Sequence, residues 1–251
     1  IKNKEVYQPI KFIGLGSNIL VRDKGLKGTT VVMHKGLNDF HKQGELFYSE
    51  AGLSCSKFSK MIAKEGYLGS AFLSGIPGTI GGALAMNAGC YGSEIWSFVK
   101  KLKMISAEGE LIERNINDFE VGYRKIKKKY DAENFVGAWF SFPKGKKEKA
   151  EEEIKKLLAH RKNTQPLNWP TAGSTFKNPD INYAAKLIED CGLKGFKIGD
   201  AKVSEQHANF IINLGAAKAK DIEDLINHIK KIVLKEKKIK LIPEVEIIGN
   251  I

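Results

Sequence analysis

The sequence predicts an α+β protein in two parts, a β-rich N-terminal domain followed by a smaller α+β domain. Up to about Phe142 the chain runs in short apolar or alternating stretches punctuated by glycine, the texture of strands and turns. After Pro143 the apolar spacing becomes that of helices, and a highly charged helix at the changeover has the character of a linker. The expected boundary gives residues 1–144 to the first domain and 145–251, linker helix included, to the second.

In the first part PIKFIGLG, GELFYSEAG, VKKLKMISAEGELIER and ENFVGAWFSF read as strands, with Glu108-Gly109 as a hairpin turn. One helix interrupts them: Ser54 caps CSKFSKMIAKEG, Phe58, Met61 and Ile62 share a face, and Gly66 stops it. In KGKKEKAEEEIKKLLAHRK, Ala150, Ile154, Leu157 and Leu158 recur at helical spacing, with Glu151 and Glu152 four residues before Lys155 and Lys156. A helix is expected next from Pro179 to Cys191, with Asn178 as cap and Gly192 as stop, and then a strand over Ala208–Leu214. The last helix carries the stripe Ile222, Leu225, Ile226, Ile229, Ile232 and Val233, and the last strand spans Glu244–Ile248. There is no internal repeat or low-complexity tract.

Composition narrows the function classes. With 42% hydrophobic and 28% charged residues over 251 positions, disorder and collagen-like repeats are excluded. No apolar run approaches the roughly 18–20 residues of a membrane span, and the opening IKNKEVYQPIKF lacks the apolar stretch of a signal peptide, so a cytoplasmic protein is expected. Cys55, Cys90 and Cys191 are far apart and read as buried small hydrophobes in a reducing compartment. The five histidines form no metal-binding spacing, and no metal is expected. The net charge of +12 is concentrated in Lys125–Lys129, Lys144–Lys149 and Lys235–Lys240, lysine-rich runs with almost no arginine and few aromatics. That pattern suits a solvated face that attracts anionic small molecules better than a nucleic-acid surface.

Four segments carry chemistry. In KFIGLGSNILV an apolar strand runs into Gly14-Leu15-Gly16-Ser17-Asn18-Ile19, which is either a tight bend or an anion-binding concavity of main-chain N–H groups. It is not a dinucleotide fingerprint, because Ile19 stands where GxGxxG needs its last glycine. Ser74–Gly92, SGIPGTIGGALAMNAGCYG, is dense in glycine and between apolar flanks, which suits a backbone wrapped around a large flat or phosphorylated ligand; glycine-allowed packing of two segments is the alternative. In Thr171–Pro179, Ser174 follows a glycine just before a helix start, so it is a cap or an exposed hydroxyl beside Lys177, and on spacing alone the cap is favoured. Near the end, Glu244 and Glu246 share one side of a strand and Val245 and Ile247 the other.

Taken together and in order, GLGSNILV, SGIPGTIGGALAMNAGCYG, GYR, AGSTFKNP, GLKGFKIGDAKVSEQHANFIIN and PEVEIIG resemble the MurB family, the UDP-N-acetylenolpyruvoylglucosamine reductases of bacterial cell-wall synthesis, over nearly the whole chain. The resemblance implies an FAD-binding domain of the vanillyl-alcohol-oxidase type followed by a substrate domain. It implies FAD against Gly14–Ile19 and Gly75–Gly89, with Gly75, Ile76, Pro77, Gly78, Thr79, Gly81, Gly82, Asn87, Ala88 and Gly89 as its contacts. NADPH reduces the flavin in such enzymes; hydride then passes from flavin N5 to C3 of the enolpyruvyl group, giving UDP-N-acetylmuramate. The family's catalytic positions fall on Arg124 for the substrate carboxylate, Ser174 as proton donor to C2, and Glu244 for polarisation or orientation. Tyr123, Arg161, Lys177, Asn178, Lys194 and His207 become candidates for the nucleotide-sugar. The resemblance further implies a monomer of the family's shorter, second type, acting on NADPH and a nucleotide-sugar, with no nucleic-acid or membrane partner. In two respects the chain departs from the pattern: only thirteen residues precede Gly14, where the family has a longer leader covering part of the FAD, and Lys125-Ile126 replaces a serine after the Tyr-Arg pair. A different flavin-dependent oxidase of the same fold is the second enzymatic reading.

Overall fold

The computed structural model describes residues 6–250. The reading of the first residues as free of a signal peptide falls partly on 1–5, outside those described. In chain order the strands are β1 (Ile10–Ile13), β2 (Ile19–Val21), β3 (Thr29–Val32), β4 (Phe40–Gln43), β5 (Leu46–Glu50), β6 (Gly89–Cys90), β7 (Ser93–Glu94) and β8 (Val99–Ile105). They continue as β9 (Leu111–Asn115), β10 (Phe119–Gly122), β11 (Lys125–Lys128), β12 (Asn134–Phe140), β13 (Lys197–Ile198), β14 (Ala201–Val203), β15 (Ile211–Asn213) and β16 (Glu246–Ile248). The helices are α1 (Cys55–Lys64), α2 (Ile80–Met86), α3 (Lys147–Thr164), α4 (Ala184–Asp190) and α5 (Ala219–Lys237).

Two compact units result. One comprises the chain up to Leu15 together with Gly28–Arg161; the other comprises Gly16–Lys27 and Lys162–Ile251. The division therefore differs from the 144/145 boundary expected of the sequence in two places. Most of α3 packs in the first unit, because Ala150 and Ile154 bury against Ala63 and Ala71. Residues 16–27 fold into the second unit, because β2 pairs in parallel with β16 and Leu20 enters that unit's core.

The first unit is built on an antiparallel sheet of order β4-β5-β12-β8-β9. Alternation along β8 buries Val99, Leu102 and Met104, and these meet Phe47, Phe58, Ile62, Phe140 and Leu84 in one core. The expected cap of α1 is present: Ser54 Oγ accepts a hydrogen bond from the Lys57 N–H, and Gly66 follows at φ 78°. The helix α2 lies inside the glycine-rich segment, where the sequence predicts no helix. Thr79 Oγ1 caps it by accepting from the Gly82 N–H, and Ile80, Ala83 and Leu84 are buried, so tertiary burial outweighs the helix-weakening glycines. Lys125–Lys128, read as a solvated lysine face, is a strand paired with β10; Lys127 meets Glu120 at 2.9 Å.

The second unit packs α4 and α5 with the three-stranded antiparallel sheet β13-β14-β15 around Leu187, Ile188, Val203, Leu225, Ile229 and Val233. Three elements are shorter than expected. The helix begins at Ala184, not Pro179, because Asn182 Oδ1 accepts from the next N–H, of Tyr183, and holds a turn. Asn178 still marks the start, accepting from the Ala184 N–H at 3.0 Å. The strand expected from Ala208 begins at Ile211, since the Phe210 N–H turns back to the His207 carbonyl. The last begins at Glu246, since the Glu244 N–H donates to the Thr175 carbonyl at 2.8 Å.

The 16–27 excursion is fastened at two further points. Arg22 grips Glu223 with Nε and Nη2, at 2.9 and 2.7 Å. Asp23 accepts from the N–H groups of Ala219 and Lys220 at the start of α5, at 2.9 and 3.1 Å, and these bonds hold its carboxyl below the usual carboxylate range. Asp23→Ala is therefore expected to lower the thermal midpoint at pH 7, as followed by circular dichroism. Because the folded pKa is depressed, this stabilisation is present above the unfolded value of about 3.9 and is lost as pH falls through the folded one, so the two melting curves should converge in acid.

Candidate active site

In the first unit the glycines divide into two groups. Gly14, Gly81 and Gly89 allow close approach: a Cβ built on them would lie 2.4 Å from Thr79 Oγ1, 2.8 Å from Ala51 Cβ and 2.3 Å from the Ser93 carbonyl oxygen. The first of these contacts joins the GLGSN turn to the SGIPGT segment, and His34 Nδ1 lies 3.1 Å from the Gly14 carbonyl oxygen. Gly75 and Gly82 instead meet only ordinary contacts at 3.6 Å or beyond, Gly75 facing Tyr91, Arg161 and Cys90. Close packing of two segments, one of the two readings of this stretch, thus accounts for Gly81 and Gly89, while Gly75 and Gly82 have no such close contact.

Arg124 sits in the two-residue turn joining β10 to β11, at φ 52°, a left-handed conformation uncommon for a non-glycine residue. Its Nη1 donates to the Asn87 carbonyl at 3.2 Å and its Nη2 to the Gly89 carbonyl, so the guanidinium is seated on the end of the glycine-rich segment. The preceding Tyr123 ring lies 5.1 Å from the guanidinium carbon and is half exposed. Asn87 is fully buried and makes its own bonds to Glu94, Gly122 and Trp96. Burial lowers the pKa of Arg161 and pushes the Cys90 thiol up to about 11, despite the opposing charges of Arg124 and Arg161. Cys90 therefore stays a thiol at neutral pH, donating to the Phe72 carbonyl.

The second unit assembles the remaining residues around Asn209, a buried amide that sequence reasoning missed. Its Oδ1 accepts from the Phe176 N–H, its Nδ2 donates to the Phe176 carbonyl, and its own carbonyl accepts from Thr175. This fixes the chain on either side of Ser174, which is half-buried behind Gly173 at φ 77°. The Thr175 carbonyl accepts from Glu244, and Asn18 Nδ2 donates to the Glu244 carbonyl at 3.1 Å, so the first, third and fourth motifs meet here. Lys177 follows in register, its N–H on the Ile242 carbonyl at 2.9 Å. On the other side of Asn209, its N–H donates to His207 Nδ1 at 3.3 Å, which puts the ring proton on Nε2. Burial, then the nearby Lys194, lower the His207 pKa and keep it neutral. Lys194 itself is paired with Glu189 at 2.8 Å. Arg124 belongs to the first unit, and Ser174 and Glu244 belong to the second.

These residues suit a flavin dinucleotide. Gly16, at φ 70°, has nothing within 4 Å of its Cβ direction, and with Ile19, Thr171, Ala172 and Thr175 it lines a cavity of about 180 Å³. In that unit the Thr171 hydroxyl oxygen is buried with no hydrogen-bond partner among the described residues. The volume takes part of a dinucleotide, not the whole. Among the described residues no group of histidine, cysteine or carboxylate side chains is arranged to hold a metal.

The chain matches two family profiles, an FAD binding domain over residues 3–115 and the C-terminal domain of UDP-N-acetylenolpyruvoylglucosamine reductase over 165–248. It is 48% identical to the UDP-N-acetylenolpyruvoylglucosamine reductase of Nitrosomonas eutropha over 97% of this chain and 76% of the relative. It is 41% identical to that of Coxiella burnetii over 97% and 83%. Among solved structures it resembles UDP-N-acetylenolpyruvylglucosamine reductase (MurB) from Thermus caldophilus, with a TM-score of 0.83, 29% identity, and coverage of 97% of this chain and 86% of the other.

The closeness at Gly14 can be tested directly. Gly14→Ala is expected to cost about 1–3 kcal/mol in urea unfolding. Adding Thr79→Ala, which removes the hydroxyl 2.4 Å away, should return part of that loss.

Proposed function

This chain belongs to the MurB family of UDP-N-acetylenolpyruvoylglucosamine reductases, and from that premise we propose how its residues share out the work. The enzyme is an FAD-dependent oxidoreductase that uses NADPH to reduce the enolpyruvyl group of UDP-N-acetylglucosamine-enolpyruvate, and it serves peptidoglycan precursor synthesis. When bound, FAD supplies the hydride relay between NADPH and C3 of the enolpyruvyl group. The main chain at Gly14–Ile19 and Gly75–Gly89 would hold it.

The observation that carries the assignment of roles is the seat of Arg124 on the Asn87 and Gly89 carbonyls. Those bonds fix the plane of a guanidinium with five N–H donors, and fixed donors stabilise charge as it develops without reorganising. Arg124 binds the enolpyruvyl carboxylate, where negative charge gathers as hydride adds to C3. Ser174 gives its hydroxyl proton to C2, completing addition of H⁻ and H⁺ across the double bond. Serine is a weak acid, so it serves this step because the acceptor, an enolate carbon, is strongly basic. The Asn209 frame on one side and Gly173 on the other hold that hydroxyl in place. Glu244 polarises or orients the reacting group, and Tyr123, Arg161, Lys177, Asn178, Lys194 and His207 contact the nucleotide-sugar. Neutral His207, with its proton on Nε2, is a hydrogen-bond donor there rather than a cation. A basic surface draws these anionic ligands in. We place the enzyme in the cytoplasm as a monomer with no nucleic-acid partner; among the described residues no helix is long and apolar enough to cross a membrane.

Ser174→Ala tests the proton donor. Stopped-flow traces should show flavin reduction by NADPH within about twofold of wild type and reoxidation by the enolpyruvyl substrate slowed by about 10²–10⁴. Equal reoxidation rates would remove Ser174 from the mechanism. The purified protein should also show flavin absorbance.

A further inference from the structure

We propose that Glu94 is a positioning residue for Arg124, acting through the buried amide of Asn87; the inference rests on the assignment of Arg124 to the substrate carboxylate. Asn87 Nδ2 donates to Glu94 Oε2 at 2.7 Å and to the Gly122 carbonyl at 3.1 Å, while its Oδ1 accepts from the Trp96 N–H at 3.4 Å. A carboxylate and a carbonyl both accept, so only the NH₂ of the amide can face them, and Glu94, which makes the shortest of the three bonds, helps to set which way the amide is turned. Turned so, the amide holds Gly122, two residues before Arg124 and in register with Lys125 just after it. Reversed, its oxygen would face two acceptors, and the hairpin would lose its hold.

The main chain of the same residue pairs with the segment whose carbonyls seat Arg124. Glu94 lies opposite Gly89 in the β6–β7 pair, with its Cγ 2.9 Å from where a Cβ on Gly89 would stand. Next to it, the Ile95 N–H donates to the Ala88 carbonyl at 3.0 Å. Asn87 and Arg124 are both held at positive φ, 48° and 52°, conformations that persist in non-glycine residues only where surrounding bonds fix them. Glu94 thus touches both ends of a closed ring: Glu94 to Asn87 to Gly122 and Arg124, and back through Gly89. The Glu94 carboxylate acts on the turn that carries the guanidinium, while its main chain pairs with the segment whose carbonyls orient it.

The test combines half-reaction rates per bound flavin with two readouts that do not depend on turnover. In Glu94→Ala, reoxidation by the enolpyruvyl substrate should slow at least about tenfold with reduction by NADPH within about twofold, whereas Glu94→Gln, whose amide oxygen accepts the same bond, should stay within about threefold. Glu94→Ala should also bind the carboxylate-bearing product, UDP-N-acetylmuramate, about tenfold more weakly in calorimetry, and amide exchange across 122–125 should rise. In an Arg124→Ala background, adding Glu94→Ala should change reoxidation less than twofold, because its effect runs through Arg124. Unchanged reoxidation in Glu94→Ala beside a slow Arg124→Ala overturns the positioning role, and so do losses that add in the double variant. Fast reoxidation in Arg124→Ala overturns the reading of Arg124 itself. Should Glu94→Ala fail to fold, Glu94→Asp, one methylene short of the 2.7 Å bond, carries the same expectations.

Discussion

The first unit depends on main-chain segments approaching more closely than any side chain permits. At Gly14, Gly81 and Gly89 a single methyl group would sit 2.3–2.8 Å from a neighbour. Gly14 brings the turn after β1 against the cap of α2, Gly81 brings α2 against Ala51, and Gly89 closes the β6–β7 pair, from which comes one of the carbonyls presented to Arg124. Main-chain groups have few soft torsions, so a surface built from them is preorganised before a ligand arrives.

Each unit also relies on one buried asparagine. Asn87 and Asn209 are both nearly inaccessible to solvent, and each uses its amide to join chain segments distant in sequence. An unsatisfied amide in such a place would cost about 1–3 kcal/mol. Full satisfaction turns that penalty into specificity: only one arrangement of the surrounding chain leaves nothing unpaired.

Much of this was legible in the sequence, and what was not has physical causes. The cap, face and stop of α1, the hairpin β8–β9 and the stripe of α5 are local signals, and all three formed as read. The order of motifs identified the family without any structure. Gly81 and Gly82 hid α2 because their low helix propensity is local, while the burial of Ile80 and Leu84 that overrides it is not. Glu94 and Asn209 carried no sequence signal, since a glutamate or asparagine reads as surface until its partner is known. The exchange of residues 16–27 was likewise invisible, because it rests on Ile19–Val21 pairing with Glu246–Ile248, more than two hundred positions away.

That pairing bears on how the protein is made. A ribosome releases the first unit's residues by Arg161, yet β2 has no partner strand until Glu246–Ile248 have been made, and Asp23 has no helix end to bond until α5 has been made. During synthesis the stretch 16–27 must wait unpaired, an apolar strand edge open to wrong partners, and the closing of the large loop between β2 and β16 carries an entropic cost that local contacts cannot offset. The second unit is thus a late, discontinuous folding unit. Residues 162–251 expressed by themselves would lack Leu20 in the core and Asp23 at the helix end, so this unit cannot be isolated by a single cut.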